Sequence, residues 1–254
     1  MRSVRRVEQV MGTVFSFDVR VEGMAADQIH VALTRAGAGL RRADAVFSTW
    51  KPDSPMSRLR RGEITLGEAP AEVAAVLGLC HTARALSGGW FDPWAMPGGV
   101  DPTGLVKGWA AAQAAAGLRH AGVDAGMVNA GGDVVTFGSP EPGRPWRVGV
   151  RDPWDAHRIV AVVEGPAAVA TSGCYERGQH VLDPRTGEPS AAVASATVVG
   201  ADLALADALA TGLLAAGEAG VDAVVAAGYQ ALLVLPDRRL SATPAFPGVC
   251  AAAA

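Results

Sequence analysis

Aromatic residues make up only 6% of this sequence, cysteine occurs three times in 254 residues, and neither sign of charge dominates, with 22 Lys and Arg against 25 Asp and Glu. Each scarcity excludes something. A formal charge of −3 leaves no electrostatic footprint for nucleic acid or an anionic membrane surface, so no nucleic-acid partner is expected. Cys80, Cys174 and Cys250 are odd in number and lack metal-type spacing, which argues against a disulfide framework or a zinc site and for a reducing compartment. The start, "MRSVRRVEQVMGT", has basic residues but no apolar run behind them, and no later segment reads as apolar for the length a membrane span needs. A cytoplasmic protein without a membrane span is the expectation. What the chain does have is bulk: half of it is hydrophobic, enough to fill the core of one large domain or two small lobes.

Alternating apolar residues over 11–22, "MGTVFSFDVRVE", predict a strand, and the spacing of Ile29, Leu33, Leu40 and Val46 predicts a helix over 27–46. "STWKPDSPMSRLRRG" breaks that helix with two prolines. A second helix is predicted over 70–86, ending at "SGG", and a third over 102–118 with Asp101 as its N-cap and Pro102 in the first position. Short strands follow: "GMVNA", "DVVTFG", "WRVGVRD", "RIVAVVEG", "AAVAT", "QHVLD" and "AVASATVVG". Helices over 203–216 and 221–227 and a last strand, "QALLVL", complete the pattern. Helical and strand runs are segregated, which predicts an α+β fold. Residues 1–240 are expected to form one domain, with 241–254, "SATPAFPGVCAAAA", a flexible tail.

Four constellations carry possible chemistry. In "DPTGLVKGWA" a lysine, Lys107, sits one turn inside an alanine-rich helix. A helix N-terminus with an added cation suits a phosphate; alternatively, Lys107 snorkels to water past its small neighbours. In "VNAGGDVVTFG" the paired glycines permit close backbone approach to a ligand, although a hairpin turn explains them equally well. In "AVATSGCYERGQHVLDPRTGEP" the "DPRTG" segment is a turn by composition, and His180 just before it is either a structural histidine or a general base. In "LALADALATGLLAAG" Asp207 and Thr211 are four residues apart, hence on one face of a helix that is apolar all round and therefore buried. A buried carboxylate needs a partner: a hard cation such as Mg²⁺ shared with the threonine oxygen, or a basic residue elsewhere.

The ordered set "MGTVFSFDV", "FSTWKPDSPMSRL", "GGWFDP", "DPTGLVKGWA", "VNAGGDVVTFG", "ATSG", "HVLDPRTGEP" and "ADALATGLLAAG" resembles the motifs of the ApbE family, the FAD:protein FMN transferases, from about Met11 to about Leu235. The resemblance implies an ApbE-like, T-fold-like mixed-sheet core with flanking helices and an FAD cleft between two lobes. It implies a flavinyltransferase that requires Mg²⁺ and moves FMN from FAD onto a threonine or serine of an acceptor flavoprotein, releasing AMP. An Mg²⁺-dependent FAD pyrophosphatase and a non-catalytic flavin carrier are the alternatives. By the same resemblance His180 activates the acceptor hydroxyl. Met11, Trp50, Asp101, Lys107 and Val181 contact the flavin nucleotide, and Gly104 (through its carbonyl), Asp207 and Thr211 hold the metal.

The chain also departs from the family. Better-known members carry a lipoprotein-type signal that is missing here, which implies a cytosolic acceptor. Only "WAMPGGV" separates "FDP" from "DPTG", where longer relatives have an extended segment that encloses the nucleotide. Trp94 or Met96 is expected to take over that packing. Trp50 stands where a tyrosine is common, which preserves stacking but not a phenolic hydrogen bond.

Overall fold

The computed structural model describes residues 1–165, 167–173, 181–190 and 192–250, without the side chains of residues 249 and 250. The chain starts with a hairpin of two nine-residue strands, β1 (Arg2–Val10) and β2 (Thr13–Val21). Both turn residues, Met11 and Gly12, have positive φ (56° and 67°), the requirement of a turn whose twist matches the strands. β2 alternates as expected and buries Phe15, Phe17, Val19 and Val21. β1 was not expected. Its alternation is hidden because its inward face carries the paired Arg6 and Glu8 between Val4 and Val10, while Val7 points outward at the edge of a sheet.

Three long helices come next in the chain: α1 (Ala26–Phe47), α3 (Ala71–Leu86), which packs on other helices, and α4 (Thr103–His120). Between the first two lies a short α2 (Pro55–Arg60), capped by Ser54, whose hydroxyl accepts the Ser57 amide. The second of the two prolines that follow α1, Pro55, therefore also starts a new helix, since proline suits the first turn. In α4 the N-cap position falls on Pro102 and not on Asp101; Asp101 Oδ1 instead accepts the Thr103 amide at 3.0 Å.

The remaining strands are β3 (Ala125–Ala130), β4 (Asp133–Phe137), β5 (Arg147–Arg151), β6 (Ile159–Glu164), β7 (Ala168–Gly173) and β8 (Ser195–Gly200). Helices α5 (Leu203–Ala216) and α6 (Val221–Ala226) follow, then β9 (Gln230–Val234), β10 (Leu240–Ala242) and β11 (Gly248–Cys250). "QHVLD" falls partly outside the described residues, and within them Leu182 forms only an isolated bridge to Pro189 across the "DPRTG" turn.

Eight strands form one sheet in the order β1-β2-β3-β4-β7-β8-β9-β10, and β11-β6-β5 form a second. The α+β class holds, with every pairing between these strands antiparallel. One face of the large sheet is covered by α1, α4 and α5; the other receives the small sheet through Val134, Val169 and Val199 against Val148 and Val163. The expected tail is corrected in part. β10 pairs with β9 and β11 with β6, while residues 251–254 lie outside the described residues.

The reading that no segment is apolar for the length of a membrane span is corrected too. The helical stretch 203–226 is long and apolar enough, by length and composition alone, to cross a bilayer, and most of it is buried inside the fold. α5 is the central helix, with Asp207 among its buried residues. It crosses α4 closely: a Cβ on Gly108 would lie 2.5 Å from the Leu203 carbonyl oxygen and 2.9 Å from Asp207 Cβ.

Candidate functional site

The tight crossing of α4 and α5 brings the first turns of α4 against the middle of α5, and a cleft of about 270 Å³ opens there. Its walls are the first turns of α4, the face of α5 that carries Asp207 and Thr211, the end of β7 (Thr171–Gly173), the Gly131–Gly132 turn, β5 and the loop around residues 90–101. Gly131 has φ +61°, and a Cβ there would meet Thr13 Oγ1 at 2.3 Å, so the β3–β4 turn can lie against the start of β2 only as glycine.

Lys107 does not run out to bulk water along the helix. It forms an ion pair with Asp133, whose side chain is only 1% exposed. Asp133 in turn accepts the Thr171 amide through Oδ1 at 2.9 Å. The same carboxylate lies beside Asp207, whose Oδ2 accepts the Gly108 amide at 2.9 Å. A carbonyl oxygen has two lone pairs, so the Gly104 carbonyl, one turn before Gly108, keeps acceptor capacity near the cleft even within the helix. Gly104 also sits directly against Thr211: a Cβ there would be 3.4 Å from Thr211 Oγ1. Thr211 Oγ1 is 3.3 Å from Ser172 Oγ.

Burial, and next the charge of Asp133, push the Asp207 carboxyl up from 3.8 to about 7, while Lys107 and the Gly108 amide pull it back. Two buried carboxylates therefore share one ammonium. The surplus negative charge and the oxygen-only donors of Gly104, Asp207 and Thr211 fit a hard divalent cation of the Mg²⁺ kind. Among the described residues no group of three or more His, Cys, Asp or Glu is placed to hold a metal ion, so protein oxygens other than carboxylates would have to complete the set.

Of the residues expected from sequence, Asp101, Gly104, Lys107, Val181, Asp207 and Thr211 all line this cleft. Met11 lies in the β1–β2 turn and is not among the cleft residues; Trp50 is 92% exposed just beyond α1 and is not among them either. His180 lies outside the described residues. Of the two candidates for nucleotide packing, Met96 lines the cleft, whereas Trp94 stacks on His81 with ring centroids 4.0 Å apart.

Thr171, Ser172, Arg151 and Trp90 line the cleft without having been singled out, and Asp133 stands behind it, joined to Lys107 and Asp207. The signal for Asp133 was present as a carboxylate opening an otherwise apolar strand, but the glycines before it read as an ordinary turn. Trp90 carries the Arg185 guanidinium 3.5 Å above its ring centroid, so the "DPRTG" turn reaches the cleft rim.

A model of the ApbE family matches residues 11–98 and 95–233. Among curated proteins, the FAD:protein FMN transferase of Rhodobacter capsulatus is 38% identical over 156 residues, which cover 57% of this chain and 30% of that protein. The FAD:protein FMN transferase of Vibrio cholerae is 35% identical over 147 residues, 54% of this chain and 44% of that protein. The matched stretches thus span less than half the length of these relatives. The solved flavin transferase ApbE from Vibrio cholerae superposes with a TM-score of 0.84 at 24% identity, covering 96% of this chain and 98% of the other. The ApbE protein of Thermotoga maritima gives 0.86 at 22% identity, over 96% and 98%. At that identity the solved structures speak for a shared fold, and the family match runs through most of the sequence: the chain belongs to the ApbE family.

Proposed function

We propose that this protein is an Mg²⁺-dependent FAD:protein FMN transferase, which joins the FMN phosphate of FAD to a threonine or serine hydroxyl of an acceptor flavoprotein and releases AMP. The observation that carries the reading is the meeting of Lys107, Gly104, Asp207 and Thr211 in one cleft at the start of α4. A diphosphate does not approach two buried carboxylates unless a cation intervenes, and the donors for that cation stand beside them. Names borne by the relatives support the same activity.

The chain's own residues then divide the work. The first turn of α4 offers its positive dipole end to phosphate oxygens, and Lys107, held by Asp133, adds a full charge one turn further in. Asp207, Thr211 and the Gly104 carbonyl would hold Mg²⁺, which when bound offsets phosphate charge in the reacting state. The acceptor oxygen forms a bond to the FMN-side phosphorus as the pyrophosphate bond breaks in line, and AMP leaves with the bridging oxygen. The hydroxyl proton goes to a base, the role assigned to His180. Met96, Trp90 and Phe91 form the apolar part of the wall and limit water at the reacting phosphorus.

The test is incubation with FAD and Mg²⁺, with and without a protein domain carrying a flavinylation threonine, followed by mass spectrometry. AMP release with an FMN-sized gain on the acceptor is expected for wild type and is lost in His180→Ala, which retains FAD binding. AMP and free FMN with no acceptor gain would overturn transfer in favour of hydrolysis. Intact FAD throughout would leave only a binding protein.

A further inference from the structure

The loop that forms one wall of the cleft is short, and it lies where the family match passes from its first segment to its second, residues 95–98 belonging to both. Something must hold so short a glycine-containing segment in place. Its own bonds are few: Asp101 N–H to the Pro93 carbonyl at 2.9 Å and Gly99 N–H to the Met96 carbonyl at 3.3 Å.

The outside hold comes from Arg60, the last residue of α2. Its Nη2 donates to the Pro97 carbonyl at 2.7 Å, its Nε to the Gly98 carbonyl at 3.2 Å, and its Nη1 stands 3.5 Å from Asp101 Oδ2. Only 14% of the Arg60 side chain is exposed. Gly98 and Gly99 have φ of +77° and +100°, and a Cβ on Gly98 would come within 3.1 Å of Arg60 Nη2. The two glycines thus let the loop press onto the guanidinium. An arginine in the last turn of a helix also suits the helix dipole, but these bonds run to the loop. Three acceptors spread around one planar group are a task for a fork of donors, which a lysine ammonium cannot copy.

The loop it grips ends in two cleft residues, Met96 and Asp101, and Asp101 fixes the first amide of α4 through Oδ1. Arg60 itself is not among the cleft residues. We propose that Arg60 is a positioning residue: by clamping loop 96–101 it sets Met96 and Asp101 against the flavin dinucleotide. This role rests on the FAD reading above.

Arg60→Ala and Arg60→Lys are compared with wild type by thermal unfolding, by amide hydrogen exchange at Gly98, Gly99 and Asp101 without ligand, and by FAD titration. The expected result for Arg60→Ala is faster exchange at those amides and roughly tenfold weaker FAD binding at a little-changed melting temperature, with Arg60→Lys in between. Weaker FAD binding with unchanged exchange would overturn the proposal, because Arg60 would then act on the ligand directly. So would unchanged FAD affinity, or an equal collapse of melting temperature in both variants. If wild type fails to bind FAD, the functional reading fails and the role toward FAD with it, while the exchange data still report separately whether Arg60 holds the loop.

Discussion

Gly108 donates its backbone amide to Asp207 Oδ2 at 2.9 Å, across a helix crossing so close that a methyl group on Gly108 would overlap the Leu203 carbonyl. One glycine thereby sets both the spacing of α4 and α5 and the orientation of the central carboxylate.

Gly108→Ala gains about 1 kcal/mol of helix propensity and meets an overpacking cost of about 1 to 3 kcal/mol. The cost is expected to win, because the obstacle is backbone that cannot rotate away. Urea unfolding should show a net loss of stability; a gain would mean that the two helices separate without penalty.

The raised Asp207 carboxyl has a signed consequence. The unfolded chain loses this proton near 3.8 and the folded protein near about 7, so between those values the folded state binds more protons. Stability of the metal-free protein therefore falls as pH rises through that window, and Asp207→Asn should flatten the slope. Mg²⁺ must displace the same proton, so its apparent affinity should climb with pH and level off above about 7. Unfolding curves and Mg²⁺ titrations across that range check both; identical slopes in wild type and Asp207→Asn would refute the assignment.

Lys107→Ala leaves Asp133 buried without its counter-ion, and breaking such a pair costs about 3 to 5 kcal/mol. The lower end is expected here, because 27% of the Lys107 side chain is exposed. Adding Asp133→Asn should return much of the stability but none of the lost FAD affinity, since the cation facing phosphate is still missing. Recovery of FAD binding in the double variant would show that Lys107 serves only the fold.

Thr211→Val preserves shape and removes a single donor oxygen. We expect a higher Mg²⁺ concentration for half-maximal AMP release with little change in melting temperature. An unchanged Mg²⁺ requirement would remove Thr211 from the metal site.

The part of the site carried by single helices was legible in the sequence. Asp207 and Thr211 share a face because four residues make about one turn, and the apolar surroundings of α5 foretold the burial of Asp207, while Thr211 is only half-buried where the cleft opens. Lys107 was visible as a charge in need of a partner, but the partner was not, because Asp133 reaches it from another strand after "AGG" had read as a plain turn. β1 escaped notice because an edge strand with a charged pair on its inward face and a valine on its outward one has little apolar alternation to display. Local spacing and burial periodicity thus determined the long helices, the α+β class and the shared face of Asp207 and Thr211. Tertiary structure alone decided that Lys107 pairs with Asp133, that Arg60 grips the loop from Pro97 to Asp101, and that the last residues before 251 join two sheets. The reason is physical: backbone propensity and hydrophobic period act over a few residues, whereas ion pairs, glycine contacts and strand addition depend on which distant surfaces the packed core brings together.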